Sequence, residues 1–234
     1  MVKGIPLGLV SVWLARWRFQ CAGLAGSMIV ALALMAAPSH AAERPVLLVM
    51  GDSLSTAYGF EQDAGWVTLL EERLADTARV VNASISGETS GGGASRLPEL
   101  LGQHDPDIVL LELGGNDGLR GLPPAQLEAN LAGMIEASQA TGAEVLILGI
   151  DIPPNYGQAY RRAFGDVFTR LAETYDAPLV PFLLDGVALE EGMMQDDGIH
   201  PTSHAQPIIL DNVWPALEPL LESSGVELAD IAHE

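Results

Sequence analysis

The segment PVLLVMGDSLSTAYGF, residues 45–60, decides the fold. It begins with an uninterrupted apolar run at residues 46–50, which is typical of a parallel strand buried on both faces. The run ends abruptly in Gly51, Asp52 and Ser53. A serine at the end of such a strand is either an ordinary turn residue or a nucleophile placed at the edge of a sheet.

Further apolar runs alternate with helical patterns along the rest of the chain. Buried strands that alternate with helices indicate a parallel sheet with helices on both faces. We therefore predict a single α/β domain with three layers, flavodoxin-like, in which a five-stranded parallel sheet has the order 2-1-3-4-5. The strands are predicted at residues 46–50, 79–82, 108–113, 145–150 and 178–182, and the helices at 66–74, 127–140, 156–175 and at the end of the chain, where Pro207, Pro215 and Pro219 interrupt the last one.

The first 42 residues have the order of a secretory signal. Lys3, Arg16 and Arg18 precede an uncharged apolar run at residues 21–38, and small residues follow it. This order predicts a signal peptide at residues 1–41, cleaved after Ala41, and one folded domain at residues 42–234. The alternative is an uncleaved anchor helix, for which the run is slightly short. We expect a periplasmic or secreted protein with no stable membrane anchor after cleavage.

The composition beyond residue 42 excludes several classes of function. Eight basic residues, all arginine, stand against 31 acidic residues, so the net charge of this part is about −23. Such a surface repels nucleic acid and anionic membranes. The one cysteine of the chain, Cys21, lies in the predicted signal. Disulfides, thiol catalysis and cysteine-type zinc sites are therefore excluded from the mature chain.

Polar and glycine residues follow the predicted strands. In a doubly wound sheet, ligands bind outside the carboxyl ends of the strands, so these segments are expected to meet at one edge. Together they contain a serine, a histidine and several carboxylates. They are residues 51–53, 82–93, 114–117 and 196–201.

This set of side chains is suited to acyl transfer to water. A serine hydroxyl is a poor nucleophile unless a base takes its proton, and a third group must hold that base in the right tautomer. His200 is the best base for Ser53, and Asp197 can curl back to its other ring nitrogen. A helix starting after Ser53 would offer the serine N–H to the developing oxyanion. The Gly87 N–H and the Asn116 side chain are further donors.

Four ordered blocks resemble the SGNH or GDSL family of serine hydrolases. They are Gly51-Asp52-Ser53-Leu54, the segment around Gly87, Gly114-Gly115-Asn116-Asp117 and Asp197-Gly198-Ile199-His200-Pro201. In detail the chain is similar to the branch of small exported arylesterases and multifunctional thioesterase/lysophospholipases.

The resemblance implies a role for each of these residues. Ser53 is the nucleophile, His200 the base and Asp197 its orienting acid. The Ser53 and Gly87 amides and Asn116 form the oxyanion hole. No metal or cofactor is needed, and Asp52 and Asp117 are expected to fix loops beside the site.

The resemblance also implies small ester, thioester or lysophospholipid substrates, and we expect a monomer. The loop at residues 119–124 could close over an acyl chain, with Gly118 and Gly121 as hinges. The candidate walls of an acyl pocket are Tyr58, Leu119, Leu122, Ile152 and Tyr156, together with Phe60, Met193 and Met194.

Other functions remain as alternatives. The same family includes O-acetyltransferases and acetylesterases, and a non-catalytic protein would use the same crevice to bind a small ligand. A nucleotide-binding loop at residues 87–93 is excluded, because a Walker loop requires a lysine. A metal site on His200 and His204, with Asp196 and Asp197 nearby, is disfavoured. Pro201 lies between the two histidines, and the usual third ligand is missing.

Overall fold

The computed structural model describes residues 44–226 and Leu228. In this part the chain forms one parallel sheet of five strands in the order β2-β1-β3-β4-β5, so the predicted topology is confirmed. The predicted signal at residues 1–41 lies outside the described residues. The strands are β1 (Val46–Gly51), β2 (Arg79–Asn82), β3 (Ile108–Glu112), β4 (Glu144–Leu148) and β5 (Leu179–Val180).

Helices connect the strands. None of those within the described part of the chain combines the length and the apolar character that a bilayer span requires. Short 3₁₀ helices lie at Gln62–Ala64, Pro154–Tyr156 and Ser203–Ala205. The α-helices are α1 (Trp66–Arg73), α2 (Ser90–His104), α3 (Gly115–Leu119), α4 (Pro124–Ala140), α5 (Gln158–Tyr175) and α6 (Gln206–Ser223).

The sheet separates two apolar cores, because alternate side chains of each strand point to opposite faces. Leu47 and Val49 of β1 join one core, which α1 and α6 cover. Leu48 and Met50 join the other, which α2, α4 and α5 cover. The residues of β3 and nearly all of those in β1 and β4 are buried on both faces, as their continuous apolar sequence predicted, whereas the edge strand β2 is partly exposed. The three-layer architecture is therefore confirmed.

Helix α2 was not predicted, because glycines 91–93 and Pro98 both disfavour helix. In the structure the glycines form its first turn, and the Thr89 hydroxyl accepts a hydrogen bond from the Gly92 N–H at 3.3 Å. A Cβ on Gly93 would collide with the Leu113 side chain. Gly93 therefore allows the helix to approach the sheet closely.

The bounds of several predicted elements differ from those in the structure by one to three residues. The strand predicted at residues 178–182 is only Leu179–Val180, and beyond it the Leu183 N–H, instead of that of residue 182, donates to the Gly149 carbonyl at 2.8 Å. The last helix was expected to be interrupted, but α6 continues through Pro215 and Pro219. Both prolines lie on its exposed side, where the carbonyl groups they leave without a partner face solvent.

Candidate active site

The polar groups that the sequence predicted to act together lie at the carboxyl edge of the sheet. β1 ends at Gly51 and β3 at Glu112, and these two residues are neighbours in the strand register. Ser53 follows β1, and Asn116 lies in α3, directly after β3. The loop before α6 adds His200 to the same edge. Segments far apart in sequence therefore meet at the switch point of the sheet.

Ser53, His200 and Asp197 form a continuous row of hydrogen bonds. The Nε2 atom of His200 lies 2.9 Å from the Ser53 Oγ. Its Nδ1 atom lies 2.7 Å from Oδ2 of Asp197. This geometry suits a base that takes the serine proton while the carboxylate fixes its tautomer.

The Asp197 carboxylate is held in its charged form. Its hydrogen bond to the His200 side chain is the main cause, and the backbone N–H groups of His200 and Ile199 contribute at 3.0 and 2.9 Å. Together they lower the pKa of Asp197 from 3.8 to about 2. The Asp197 side chain is 41% exposed, whereas that of His200 is 17% exposed. The acid of the row therefore stands at the protein surface.

Ser53 begins a series of turns, and no helix that could present its N–H starts directly after it. Asp52 explains this, because its Oδ1 accepts from the Leu54 N–H at 3.0 Å and its carbonyl accepts from the Ser55 N–H at 3.2 Å. Ala57, at φ 57°, then turns the chain out of any helical path. The Ser53 N–H is consequently presented by a side-chain-supported turn and not by a helix N-terminus.

Three donors at this edge are available to a substrate oxygen. Among the described residues, neither the Ser53 N–H nor the Gly87 N–H has an acceptor. The Asn116 Nδ2 donates one hydrogen to Asp52 Oδ2 at 2.9 Å, which leaves its second N–H free. Gly87 has φ 79°, a conformation that favours glycine, and Arg120 donates to its carbonyl at 3.0 Å. The arrangement therefore has the features of an oxyanion hole.

Asp52 orients the Asn116 amide and is itself 2% exposed. Burial raises its pKa from 3.8 to about 6, although hydrogen bonds from the Leu54 N–H and from Asn116 oppose that rise. Asp117, the other acid of this motif, accepts from the Ser90 N–H and hydroxyl at 2.8 and 2.6 Å. Each carboxylate therefore ties a neighbouring segment to the site.

Two residues beside the site were not identified from the sequence. Glu112 is fully buried and accepts a hydrogen bond from the Ser55 hydroxyl at 2.7 Å. Gln195 donates from Nε2 to the carbonyls of Tyr58 at 2.7 Å and Pro201 at 2.9 Å. An acid inside an apolar strand was the available signal for Glu112. Gln195 carries no comparable signal in the sequence.

Tyr58 lies beside the row, and the loop at residues 119–124, another predicted wall of an acyl pocket, contacts the Gly87 segment through Arg120. Tyr58 is 48% exposed, and its ring centroid lies 4.2 Å from that of His200. The Tyr156 hydroxyl donates to the Leu119 carbonyl at 2.8 Å. A second hydroxyl, that of Tyr160 in α5, donates to the carbonyl of Leu122 at 2.7 Å. The conformation of this loop is therefore supported from α5 and from the segment before it.

Ile152 and Gly118 differ from their predicted roles. Ile152 is only 3% exposed and belongs to the core under α5, so it does not form an open wall. Gly118 lies inside α3, and a Cβ there would be 2.5 Å from Ile152 and 3.0 Å from Phe164. Its small size serves close packing and not a hinge. Gly121, at φ 66°, does occupy a backbone conformation that favours glycine.

Within residues 44–226 and Leu228, no three histidine, cysteine or carboxylate side chains are grouped closely enough to hold a metal ion. Met193 and Met194, two further predicted wall residues, pack against the core between the sheet and α6. Phe60, the remaining one, is partly buried.

Known proteins are similar over most of this chain. Residues 49–206 match the GDSL-like Lipase/Acylhydrolase family. The esterase TesA of Pseudomonas aeruginosa is 55% identical over 81% of this chain and 96% of its own length. Thioesterase 1/protease 1/lysophospholipase L1 of Escherichia coli is 47% identical over 78% of this chain and 88% of its own. The crystal structure of the esterase EstA from Pseudoalteromonas sp., inhibited by monoethylphosphonate, superposes with a TM-score of 0.72 at 43% identity, over 76% of this chain and 98% of EstA.

Proposed function

The chain belongs to the GDSL-like Lipase/Acylhydrolase family and is a carboxylic ester hydrolase, and on that basis we propose that it works through an acyl-enzyme on Ser53. The observation that carries this proposal is the row of hydrogen bonds from Ser53 through His200 to Asp197, at 2.9 and 2.7 Å. These are the contacts that an activated serine nucleophile requires.

In the proposed reaction the Ser53 Oγ attacks the acyl carbonyl carbon while His200 Nε2 takes its proton. The tetrahedral intermediate collapses, the ester bond breaks, and His200 returns the proton to the leaving alcohol or thiol. Water then attacks the acyl-enzyme with His200 again as base, which releases the acid and restores Ser53. Asp197 stays ionised throughout, consistent with its lowered pKa.

The negative charge on the tetrahedral oxygen needs donors that are already in place. We assign this role to the N–H groups of Ser53 and Gly87 and to the free N–H of Asn116 Nδ2. Each such donor typically contributes about 3 kcal/mol to transition-state stabilisation. The hydrogen bond between Asn116 and Asp52 supports the assignment, because it directs the amide nitrogen, and not the amide oxygen, toward the site.

The substrates we propose are small esters, thioesters or lysophospholipids, in line with the names of the relatives. A net charge of about −23 beyond residue 42 repels polyanions, which favours neutral or zwitterionic substrates over acyl-CoA. We further propose that residues 1–41 are a cleaved signal and that residues 42–234 act in the periplasm or outside the cell as a monomer. The proposal of a cleaved signal rests on the sequence alone.

The test is the hydrolysis of p-nitrophenyl esters from acetyl to palmitoyl by the wild type and by Ser53→Ala. Ser95→Ala is the control, because Ser95 lies on the exposed side of α2 and donates only to the Gly91 carbonyl. We expect Ser53→Ala to lose activity by about 10⁶-fold, as nucleophile removal does in serine hydrolases, and Ser95→Ala to keep it.

A p-nitrophenyl phosphonate ester provides a second readout of the nucleophile. Mass spectrometry should detect one phosphonyl group on the wild type and on Ser95→Ala, and none on Ser53→Ala. Full activity in Ser53→Ala, or phosphonylation of that variant, would contradict the proposed mechanism.

A further inference from the structure

Glu112 contacts the chain on both sides of the proposed nucleophile. It is the last residue of β3 and is 0% exposed. Its Oε2 atom accepts hydrogen bonds from the Asp52 N–H at 3.0 Å and from the Ser55 hydroxyl at 2.7 Å. Asp52, which precedes Ser53, and Ser55, which follows it by two residues, thus donate to the same carboxyl oxygen.

Two glycines leave room for this buried acid and its neighbour. A Cβ on Gly51 would lie 2.6 Å from Glu112 Oε2 and 2.8 Å from the Ser55 Oγ. A Cβ on Gly115 would lie 3.3 Å from Asp52 Oδ2. Residue 51 is therefore a glycine because of close packing against Glu112, and its position before a turn does not by itself indicate this. Any side chain there would displace the Glu112 carboxyl.

The surroundings of Glu112 favour its neutral form. Burial, and then the nearby charge of Asp52, raise its pKa well above 4.5. Its Oε1 atom has no hydrogen-bond partner among the described residues, so an ionised carboxylate would be poorly solvated. The titratable group that acts on Glu112 is Asp52, and His200 in turn acts on Asp52. On the other side, β4 offers only apolar residues at 145–148.

We propose that Glu112, as a neutral acid, is a positioning residue for the nucleophile turn. It holds Asp52 and Ser55 in place and so sets the direction of Ser53. Through Asp52 it also supports the Asn116 amide. This inference rests on the proposed function, because it concerns the turnover that Ser53 would carry out.

The test uses two substitutions. Glu112→Gln keeps a neutral oxygen acceptor at this position, and Glu112→Met keeps the side-chain length but removes the acceptor. The control is Glu136→Gln on α4, which accepts from the Tyr175 hydroxyl far from the site. On p-nitrophenyl butyrate we expect Glu112→Met to lower kcat by about 100-fold with little change in KM, since a nucleophile displaced by about 1 Å loses that much. Glu112→Gln should restore most of the wild-type kcat. Wild-type kcat in Glu112→Met, or an equal loss in Glu112→Gln, would overturn the proposal.

Thermal unfolding between pH 5 and pH 9 tests the neutral form without any activity measurement. A carboxyl with a raised pKa keeps its proton in the folded chain and loses it in the unfolded chain, so its contribution to stability falls as pH rises above about 4.5. Glutamine does not titrate, so the Tm of Glu112→Gln should rise relative to wild type with increasing pH. A Tm difference that is constant with pH would overturn the proposal. An inactive wild type would count against the proposed function, and the Tm comparison would still decide whether Glu112 is neutral.

Discussion

Gln195 links the two loops that carry the candidate catalytic groups, and its replacement tests that link directly. Its Nε2 donates to the carbonyl of Tyr58, in the loop after Ser53, and to the carbonyl of Pro201, next to His200. Its backbone N–H donates to the His200 carbonyl at 2.7 Å. The substitution Gln195→Met keeps the side-chain length and the backbone contact, and it removes both side-chain hydrogen bonds.

The expected effect follows from these two hydrogen bonds. Each contributes about 1 kcal/mol net to the free energy of unfolding. Tyr58 is 48% exposed, so water can replace the donor at its carbonyl, and the total loss should be about 1 to 2 kcal/mol. For a domain of this size that corresponds to a Tm lower by about 2 to 8 °C. The loops should also separate, and a shift of about 1 Å between Ser53 and His200 should lower kcat by about 100-fold.

The assay compares kcat, KM and Tm of Gln195→Met with those of Gln139→Met. Gln139 donates in the same way to one backbone carbonyl, that of Tyr175 at 3.1 Å, but it joins α4 to the end of α5. We expect the control to lose stability and to keep kcat. Wild-type kcat in Gln195→Met would refute the reasoning. Equal losses of kcat in both variants would show that activity follows global stability instead.

Three further outcomes are expected. Asp197→Asn should lower kcat by about 10⁴-fold. The stability that Asp197 contributes should be present above its ordinary pKa of 3.8 and be lost as pH falls toward about 2, which thermal unfolding of wild type and variant over that range would measure. Gly118→Ala should destabilise the fold by about 1 to 3 kcal/mol in denaturant unfolding, because its Cβ would lie 2.5 Å from Ile152, whereas Gly102→Ala, with no atom within 4 Å, should not. Leu122→Ala should selectively weaken hydrolysis of longer acyl esters, and an unchanged chain-length profile would count against a role for this loop.

The sheet and its order could be predicted from the sequence because the strands are continuous apolar runs between helical patterns. The grouping of Ser53, Asn116 and His200 could be predicted as well, since the carboxyl ends of parallel strands lie at one edge. These inferences need only the order of elements and the residue types at their ends. They do not depend on the details of side-chain packing.

What the sequence did not indicate depends on contacts between distant residues. The turn after Ser53 is stabilised by side chains of Asp52 and Glu112, which a helical pattern cannot reveal. Helix α2 forms despite glycines 91–93, and at Gly93 only glycine leaves space for the side chains of Leu113 and Met50. Gln195 acts through backbone carbonyls, which every residue possesses. In each case tertiary packing overrides the local preference.

The candidate nucleophile and its candidate base come from segments that are far apart in the chain. Ser53 and His200 are 147 residues apart, and the buried hydrogen bond from the Trp66 N–H to Gln206 Oε1, at 3.0 Å, spans 140. Contacts between such distant segments close the largest loops of the chain, and these form slowly. No fragment that stops before residue 200 contains both Ser53 and His200. If Ser53 is the nucleophile, we therefore expect hydrolytic activity to appear only after folding, because His200 is not beside Ser53 in a nascent or unfolded chain.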